Sequence, residues 1–413
     1  MTQPNRIHIF QAYGVELEYM IVDSETLKVK SIADELLKSV LGEYGSDYEN
    51  GIVTWSNELV CHVIELKSTR PELNFTALNN AFADNVNKIN HLLSQHNAML
   101  LPGAAHPFMQ PERDTKLWPH DNNEVYALYN KIFDCSGHGW SNLQSTHINL
   151  PFYDDEEFAK LHAAVRLIMP VLPALAASSP IIEAKYTGML DTRLMYYKSN
   201  QAKIPCITGK VIPEAVFSKR TYLNTIYDKI KTEIAPYDPE KILDPIWVNS
   251  RGAIPRFDRG SIEIRILDVQ ECPAADLAIL SLVIETIKAL AKAKFIDLES
   301  QMKWKTEHLA SIYEACIIHA ENAIIDNQEY LHVFGVKQAS ITAGALWKHI
   351  YNLLISSNPT IESWKAELNV ILQEGTLASR IKKVLGESAD HESIKVVYKR
   401  LADCLHQNKL FIP

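Results

Sequence analysis

The sequence predicts an α+β fold with a mostly antiparallel sheet, and three observations carry that reading. Apolar and polar residues alternate over 7–22, 52–67 and 261–269, the period of half-buried strands. Helical periods are interleaved with these strands through the first two thirds of the chain. Beyond residue 272 the apolar spacing turns helical.

In order, 7–22 reads as a strand, 33–41 as a short helix, 52–67 as a second strand and 75–96 as an amphipathic helix. A short strand over 99–101 precedes a polar loop to Asn123, and a strand over 146–150 ends at Pro151, which has no N–H for a ladder. Helices are predicted over 154–177 and 213–234, the second opened by Pro213, whose fixed φ suits a first helical position. After the strand at 261–269 come helices over 273–294, 302–327, 340–356, 361–374 and 391–407. No Pro/Gly/Ser linker, low-complexity run or repeat interrupts the chain. The expected division is therefore an α+β core over 1–272 with a helical part over 273–413 packed on it.

Bulk chemistry narrows the function. With 413 residues, 47% hydrophobic and 22% charged, the chain can bury a sizeable core. Its net charge of -9 offers no positive field to a phosphate backbone, so no nucleic-acid partner is expected. The most apolar stretch, 167–182, contains three prolines and is too short to span a bilayer comfortably, so no membrane partner is expected. Cysteines 61, 135, 206, 272, 316 and 404 form no CxxC pair, which argues against zinc ribbons and a disulfide framework. The start, Met1 to Arg6, lacks an apolar signal region, and the expectation is a cytoplasmic protein. A monomer and a homo-oligomer both stay open.

Four polar constellations fall on or beside predicted strands. In Gly14-Val15-Glu16-Leu17-Glu18 the two acids share a face. Such a pair also occurs on exposed strands. In 57–67, Glu65 lies between Ile64 and Leu66, where an unpaired carboxylate would cost several kcal/mol, so it needs a metal or a cation such as a neighbouring Lys. Glu58 is seven residues from Glu65, a spacing that sends the two to opposite faces of a regular strand unless a bulge intervenes. His147 and Asn149 share a face, and imidazole beside carboxylates suits Mg²⁺ or Mn²⁺. Finally, Arg251, Arg256, Arg259 and Arg265 fall within fifteen residues on a Gly/Pro-containing loop and the strand that follows it, where Glu263 and Arg265 project together; guanidinium groups so placed suit bidentate clamping of phosphate or carboxylate oxygens. There is no GxxxxGK[ST], no strand-bound GxGxxG, no HExxH and no GxSxG, which leaves a carboxylate-rich metal site.

Taken in order, Gly14 to Glu18, Glu58 to Glu65, His147 and Glu263-Ile264-Arg265 resemble the metal-ligand series of the glutamine synthetase superfamily, in its glutamate-cysteine ligase family 2 and carboxylate-amine ligase branch. The stretches 177–193 and 250–265 resemble the same branch, so the likeness spans roughly 7–290. It implies a curved antiparallel sheet forming an active-site funnel in which ATP, Mg²⁺ (or Mn²⁺) and small amino-acid and amine substrates meet. By resemblance Glu16, Glu18, Glu58, Glu65, His147 and Glu263 would hold metal, and Arg251, Arg256, Arg259 and Arg265, with Asn149, the nucleotide. Arg193 and Lys185 would contact substrate, and Glu65 would join Arg251, Arg256 and Arg265 in catalysis. Position 149 is Asn where relatives often carry a second His.

The function so implied is ATP-dependent amide formation through an acyl phosphate, most naturally between the γ-carboxylate of glutamate and an amino-acid amine such as that of cysteine. A guanidino-type phosphotransferase on the same fold, a catalytically silent binder of nucleotide or amino acid, and a two-metal hydrolase are the alternatives.

Overall fold

The computed structural model describes residues 6–356 and 358–413; Met1 to Asn5, on which the reading of the N-terminus rests, lie outside the described residues. Its strands are β1 (Gly14–Asp23), β2 (Asp47–Asn50), β3 (Val53–Asn57), β4 (Val63–Ser68), β5 (Ala98–Leu101), β6 (Ser145–Pro151), β7 (Ile181–Ile182), β8 (Lys185–Tyr186), β9 (Ala253–Arg256), β10 (Ser261–Asp268), β11 (Ile324–Ile325) and β12 (Ile341–Thr342). Eight of them form one sheet in the order β2-β3-β4-β1-β6-β10-β9, with β5 paired to the later half of β1. Every pairing in that sheet is antiparallel. The pairs β7-β8 and β11-β12 are separate ribbons.

The two faces of the sheet follow from strand alternation. Val15, Leu17, Tyr19 and Ile21 of β1 are fully buried, and with Leu66, Ile148, Ile262 and Ile264 they join a core that includes Phe82, Val86 and Ile89 of helix Phe75–Ser94 and most of helix Pro273–Ala291. The opposite face carries the acids. Farther along β1 that second face turns apolar: Met20 and Val22 pack with Leu101 and with Ile394, Val397, Tyr398 and Leu401 of helix His391–Gln407. The chain's last helix thus covers one end of the face that bears Glu16 and Glu18.

Several elements differ from the expectation. The strand expected over 7–22 starts only at Gly14. The one expected over 52–67 is a hairpin of β3 and β4, with 58–62 as its connection. The helix expected over 154–177 runs from Asp155 to Ile168 and then breaks into a 3-10 turn and a short helix, because Pro170 and Pro173 cannot donate to the preceding turn. Pro213 does not open a helix; its carbonyl accepts from Arg166 Nε at 2.8 Å, and the helix begins at Lys219 after Ser218, whose hydroxyl accepts from Thr221 N at 3.2 Å. The predicted 302–327 helix is Leu298–Met302 and Thr306–His319 followed by β11, and β12 takes the start of the predicted 340–356 helix. Helices Asn123–Phe133 and Leu377–Leu385 fall where the sequence predicts none.

Candidate active site

Strands β1, β4, β6 and β10 aim their polar face into a cavity of about 760 Å³ lined by Glu16, Glu18, Glu58, Glu65, His147, Asn149, Glu263 and Arg265. The register explains the convergence. Glu16 stands opposite His147 on one side and Lys67 on the other, Glu18 opposite Glu65, and Glu263 opposite Asn149. Glu58 comes from the β3-β4 connection, so the odd spacing of seven is resolved by a turn rather than a bulge.

Ligand atoms of Glu16, His147 and Glu263 all lie within 4.8 Å of one another. Nδ1 of His147 is 2.9 Å from Glu16 Oε2, and Asn149 Nδ2 donates to Glu16 Oε1 at 2.9 Å. Glu18 is fixed by Ser145, whose N and Oγ lie 2.6 and 3.0 Å from Oε2, while the Ser145 hydroxyl also meets His147 Nε2 at 2.8 Å. Burial alone would raise the Glu16 carboxyl, yet the hydrogen bond and charge of His147 bring it down to about 2. On His147 burial lowers and Glu16 and Glu18 raise, with a net upward shift. Burial, then Glu18, pushes Glu58 up to about 7, and burial with Glu16 and Glu58 drives Glu65 well above the carboxylate range. These are acids whose ionised forms lack sufficient countercharge. Two carboxylates and an imidazole without thiolate are a donor set for a hard divalent cation, and the residues present fit Mg²⁺ or Mn²⁺.

The arginines divide. Arg265 Nε lies 3.0 Å and Arg256 Nη1 3.6 Å from the two oxygens of Glu263, and Arg259 also lines the cavity. Burial opposes the Arg265 charge, but Glu263 beside it holds the guanidinium protonated beyond its usual range. Arg251 corrects the sequence expectation. It is 3% exposed, gives Nε and Nη2 to Glu214 at 2.5 and 2.6 Å and Nη1 to Cys206 O at 3.1 Å, and does not line the cavity. Its donors are committed to the protein. Lys185 is likewise not brought to the cavity and lies exposed on β8. Arg193 lines the cavity from within the wall: Nε is held by Asp268 at 2.5 Å, while among the described residues Nη1 and Nη2 reach only Arg265 O, at 3.5 and 3.4 Å.

The neighbouring Lys that the sequence offers as a partner for Glu65 is Lys67, whose Nζ bridges Glu65 Oε2 at 3.3 Å and Asp47 Oδ1 at 3.1 Å. Sequence reasoning missed part of the lining, Ser145 among it, two residues before His147. The aromatic residues Tyr126, Tyr129, Trp140, Tyr197 and Trp247 also line the cavity. Only the i, i+3 pair Tyr126/Tyr129 had a helical spacing to betray it.

Comparison with known proteins gives the family and the fold. The family model for glutamate-cysteine ligase family 2 matches residues 12–344. An uncharacterized protein of Archaeoglobus fulgidus is 30% identical over 408 residues, 97% of this chain and 100% of its own length. A Bradyrhizobium protein provisionally named glutamate-cysteine ligase 2 is 24% identical over 340 residues, 78% of this chain and 74% of its own. Among solved structures, a glutamate-cysteine ligase from Francisella tularensis in complex with AMP has a TM-score of 0.64 at 11% identity, covering 98% of this chain and 90% of that one. A bifunctional glutathione synthetase from Pasteurella multocida has a TM-score of 0.54 at 12% identity, over 97% of this chain and 52% of that one. At these identities the solved structures show a shared fold, that of a mixed α/β molecule on an antiparallel sheet. The family match extends from just before β1 past β12, across every strand of the acidic face, and the chain belongs to glutamate-cysteine ligase family 2.

Proposed function

We propose that the protein is an ATP-dependent carboxylate-amine ligase that activates an amino acid's carboxylate, the γ-carboxylate of glutamate, as an acyl phosphate and joins it to an amine. The observation that carries this reading is the meeting of Glu16, His147 and Glu263 within 4.8 Å beside Arg265 and Arg256, in a chain of this family. AMP in the Francisella ligase supports a nucleotide substrate for the shared fold.

A carboxylate resists attack by an amine because its anion is a poor electrophile and oxide a poor leaving group. Transfer of the γ-phosphoryl group from ADP oxygen to a carboxylate oxygen removes both obstacles. The amine nitrogen then bonds to the carbonyl carbon, inorganic phosphate departs, and the amine's proton passes to a carboxylate of the cavity outside the Glu16/His147/Glu263 set. A divalent ion held by Glu16, His147 and Glu263, with Glu18, Glu58 and Glu65 beside them, would supply countercharge to the phosphates. Arg265 and Arg256 place positive charge around the transferred group, Arg259 meets the nucleotide phosphates at the rim, and Asn149 orients Glu16. Arg193, with two weakly engaged nitrogens, contacts a substrate carboxylate.

The test is ADP release with Mg²⁺ and ATP across a matrix of carboxylates and amines, with the amide identified by mass. Turnover needs both partners. Glu263→Ala is expected to keep its circular dichroism spectrum and lose at least about 100-fold in ADP formation; near-normal turnover in that variant would overturn the assignment.

A further inference from the structure

The cavity has two chemically distinct ends, and strand register tells them apart. At one end Gly14 faces Asn149 and Ser261 faces Arg256, and there Arg70, Arg256 and Arg259 line the wall. At the other end lie Glu18 and Ser145, and Ser145 is opposite Asp268, which anchors Arg193. Here the wall is aromatic. Tyr129 meets Trp247 edge-on at 4.8 Å and Trp140 edge-on at 5.2 Å, and Tyr126 lies 6.4 Å from Trp247. Trp247 is 42% exposed, a large ring left open to the cavity on the short helix Pro245–Val248.

Phosphates belong with the guanidinium groups, so the nucleotide's charged part lies at the Gly14 end. That leaves the aromatic end to an organic substrate. The donor's carboxylate must reach the acidic cluster, whereas the amine arrives beyond it, on the side away from the phosphates. Trp140 and Tyr197 also line the cavity. Rings set edge-on, with Trp247 open to solvent, offer flat apolar surface to an occupant that has a flat apolar part.

Resting on the ligase reading, we propose that the aromatic end is the acceptor subsite and that the amine it takes carries an aromatic body, in place of the small thiol side chain of cysteine. The bond made is still an amide, with phosphate leaving. An aromatic ring stacked on or set edge-on to Trp247 and Tyr126 would hold the amine's body, while its nitrogen points toward the acyl phosphate.

The experiment uses the full chain with Mg²⁺, ATP and glutamate and compares phenethylamine, phenylalanine, alanine and cysteine as acceptors. The aromatic amines are expected to exceed alanine and cysteine by about tenfold or more in kcat/KM, and Trp247→Ala to erase that ratio through KM while the KM for ATP stays put. Equal use of cysteine, or a Trp247→Ala change confined to the ATP KM, would overturn the proposal, the latter placing the adenine here. Binding of phenethylamine against isobutylamine, followed by saturation-transfer NMR, separates this inference from its foundation. Selective binding that Trp247→Ala abolishes, with no ADP from any pair, would keep the aromatic subsite and sink the ligase; absence of selective binding would overturn the subsite whatever the turnover.

Discussion

His162 shows how one residue can carry a pH response far from the chemistry. It lies on helix Asp155–Ile168, fully buried, with its ring stacked on Phe158 at 5.2 Å and no partner for either nitrogen among the described residues. Burial, reinforced by the charge of Arg166, lowers its pKa to about 3. In the unfolded chain the same ring takes a proton near pH 6.5. Between those values the unfolded state binds the extra proton, so the stability of the neutral buried ring is fully present above pH 6.5 and drains away as pH falls. The slope is about 1.4 kcal/mol per pH unit for one proton. His162→Phe removes the titration and keeps the stacking, so its stability relative to the parent should improve by about 2 kcal/mol between pH 6.5 and 5. Thermal melts at several pH values read this directly, and a difference that stays constant with pH would contradict it.

At the scale of elements, the segment 249–268 separates what sequence spacing reveals from what it hides. Alternation was enough to put Glu263 and Arg265 on one face and Ile262, Ile264 and Ile266 on the other, because strand parity is set by the backbone alone. The same held for Glu16/Glu18 and for His147/Asn149. It was not enough to tell Arg251 from Arg256. Both precede β10, but Arg251 is answered by Glu214, a carboxylate 37 residues away in sequence, and that partnership depends on tertiary packing. Glu58 was obscured for a related reason, since a turn changes parity without leaving a compositional mark. The aromatic wall is assembled from helices Asn123–Phe133, His138–Ser141, Thr192–Tyr197 and Pro245–Val248, short elements whose convergence no local period encodes. The distinction between the arginines is measurable. Arg251→Met is expected to cost about 2 kcal/mol, reduced from the value for a fully buried pair because Glu214 is partly solvated, and to leave the KM for ATP unchanged. Arg256→Met should do the reverse, raising the KM for ATP with little change in the melting temperature. Exchanged phenotypes would show that the phosphate clamp had been assigned to the wrong guanidinium.

For the whole molecule, the question is what keeps the last helix on the sheet, since Ile394, Tyr398 and Leu401 pack on Met20 and Val22, just beyond Glu18 on the same face. A fully buried ion pair ties three distant parts together there. Glu271, three residues past β10, receives Arg380 Nη1 at 2.5 Å and the backbone N–H of Phe411 at 3.0 Å, and Arg380 Nη1 also donates to Phe411 O at 2.6 Å. Arg380 belongs to helix Leu377–Leu385, and its Nε reaches Gly375 O at 3.2 Å. Neither side chain is exposed to solvent. Pairing two charges in such a place adds little net energy, but removing one partner leaves the other buried and uncompensated, at about 3–5 kcal/mol. Glu271→Gln is therefore expected to lower stability by about that amount and to open the C-terminal segment to proteolysis before the sheet unfolds. Replacing both partners, Glu271→Leu with Arg380→Leu, should restore part of the loss, the remainder being the unpaired N–H and C=O of Phe411 and the C=O of Gly375. Denaturant midpoints of the single and double variants decide the matter: a single variant as stable as the parent would show that the apolar contacts of Tyr398 and Leu401 alone hold the helix in place.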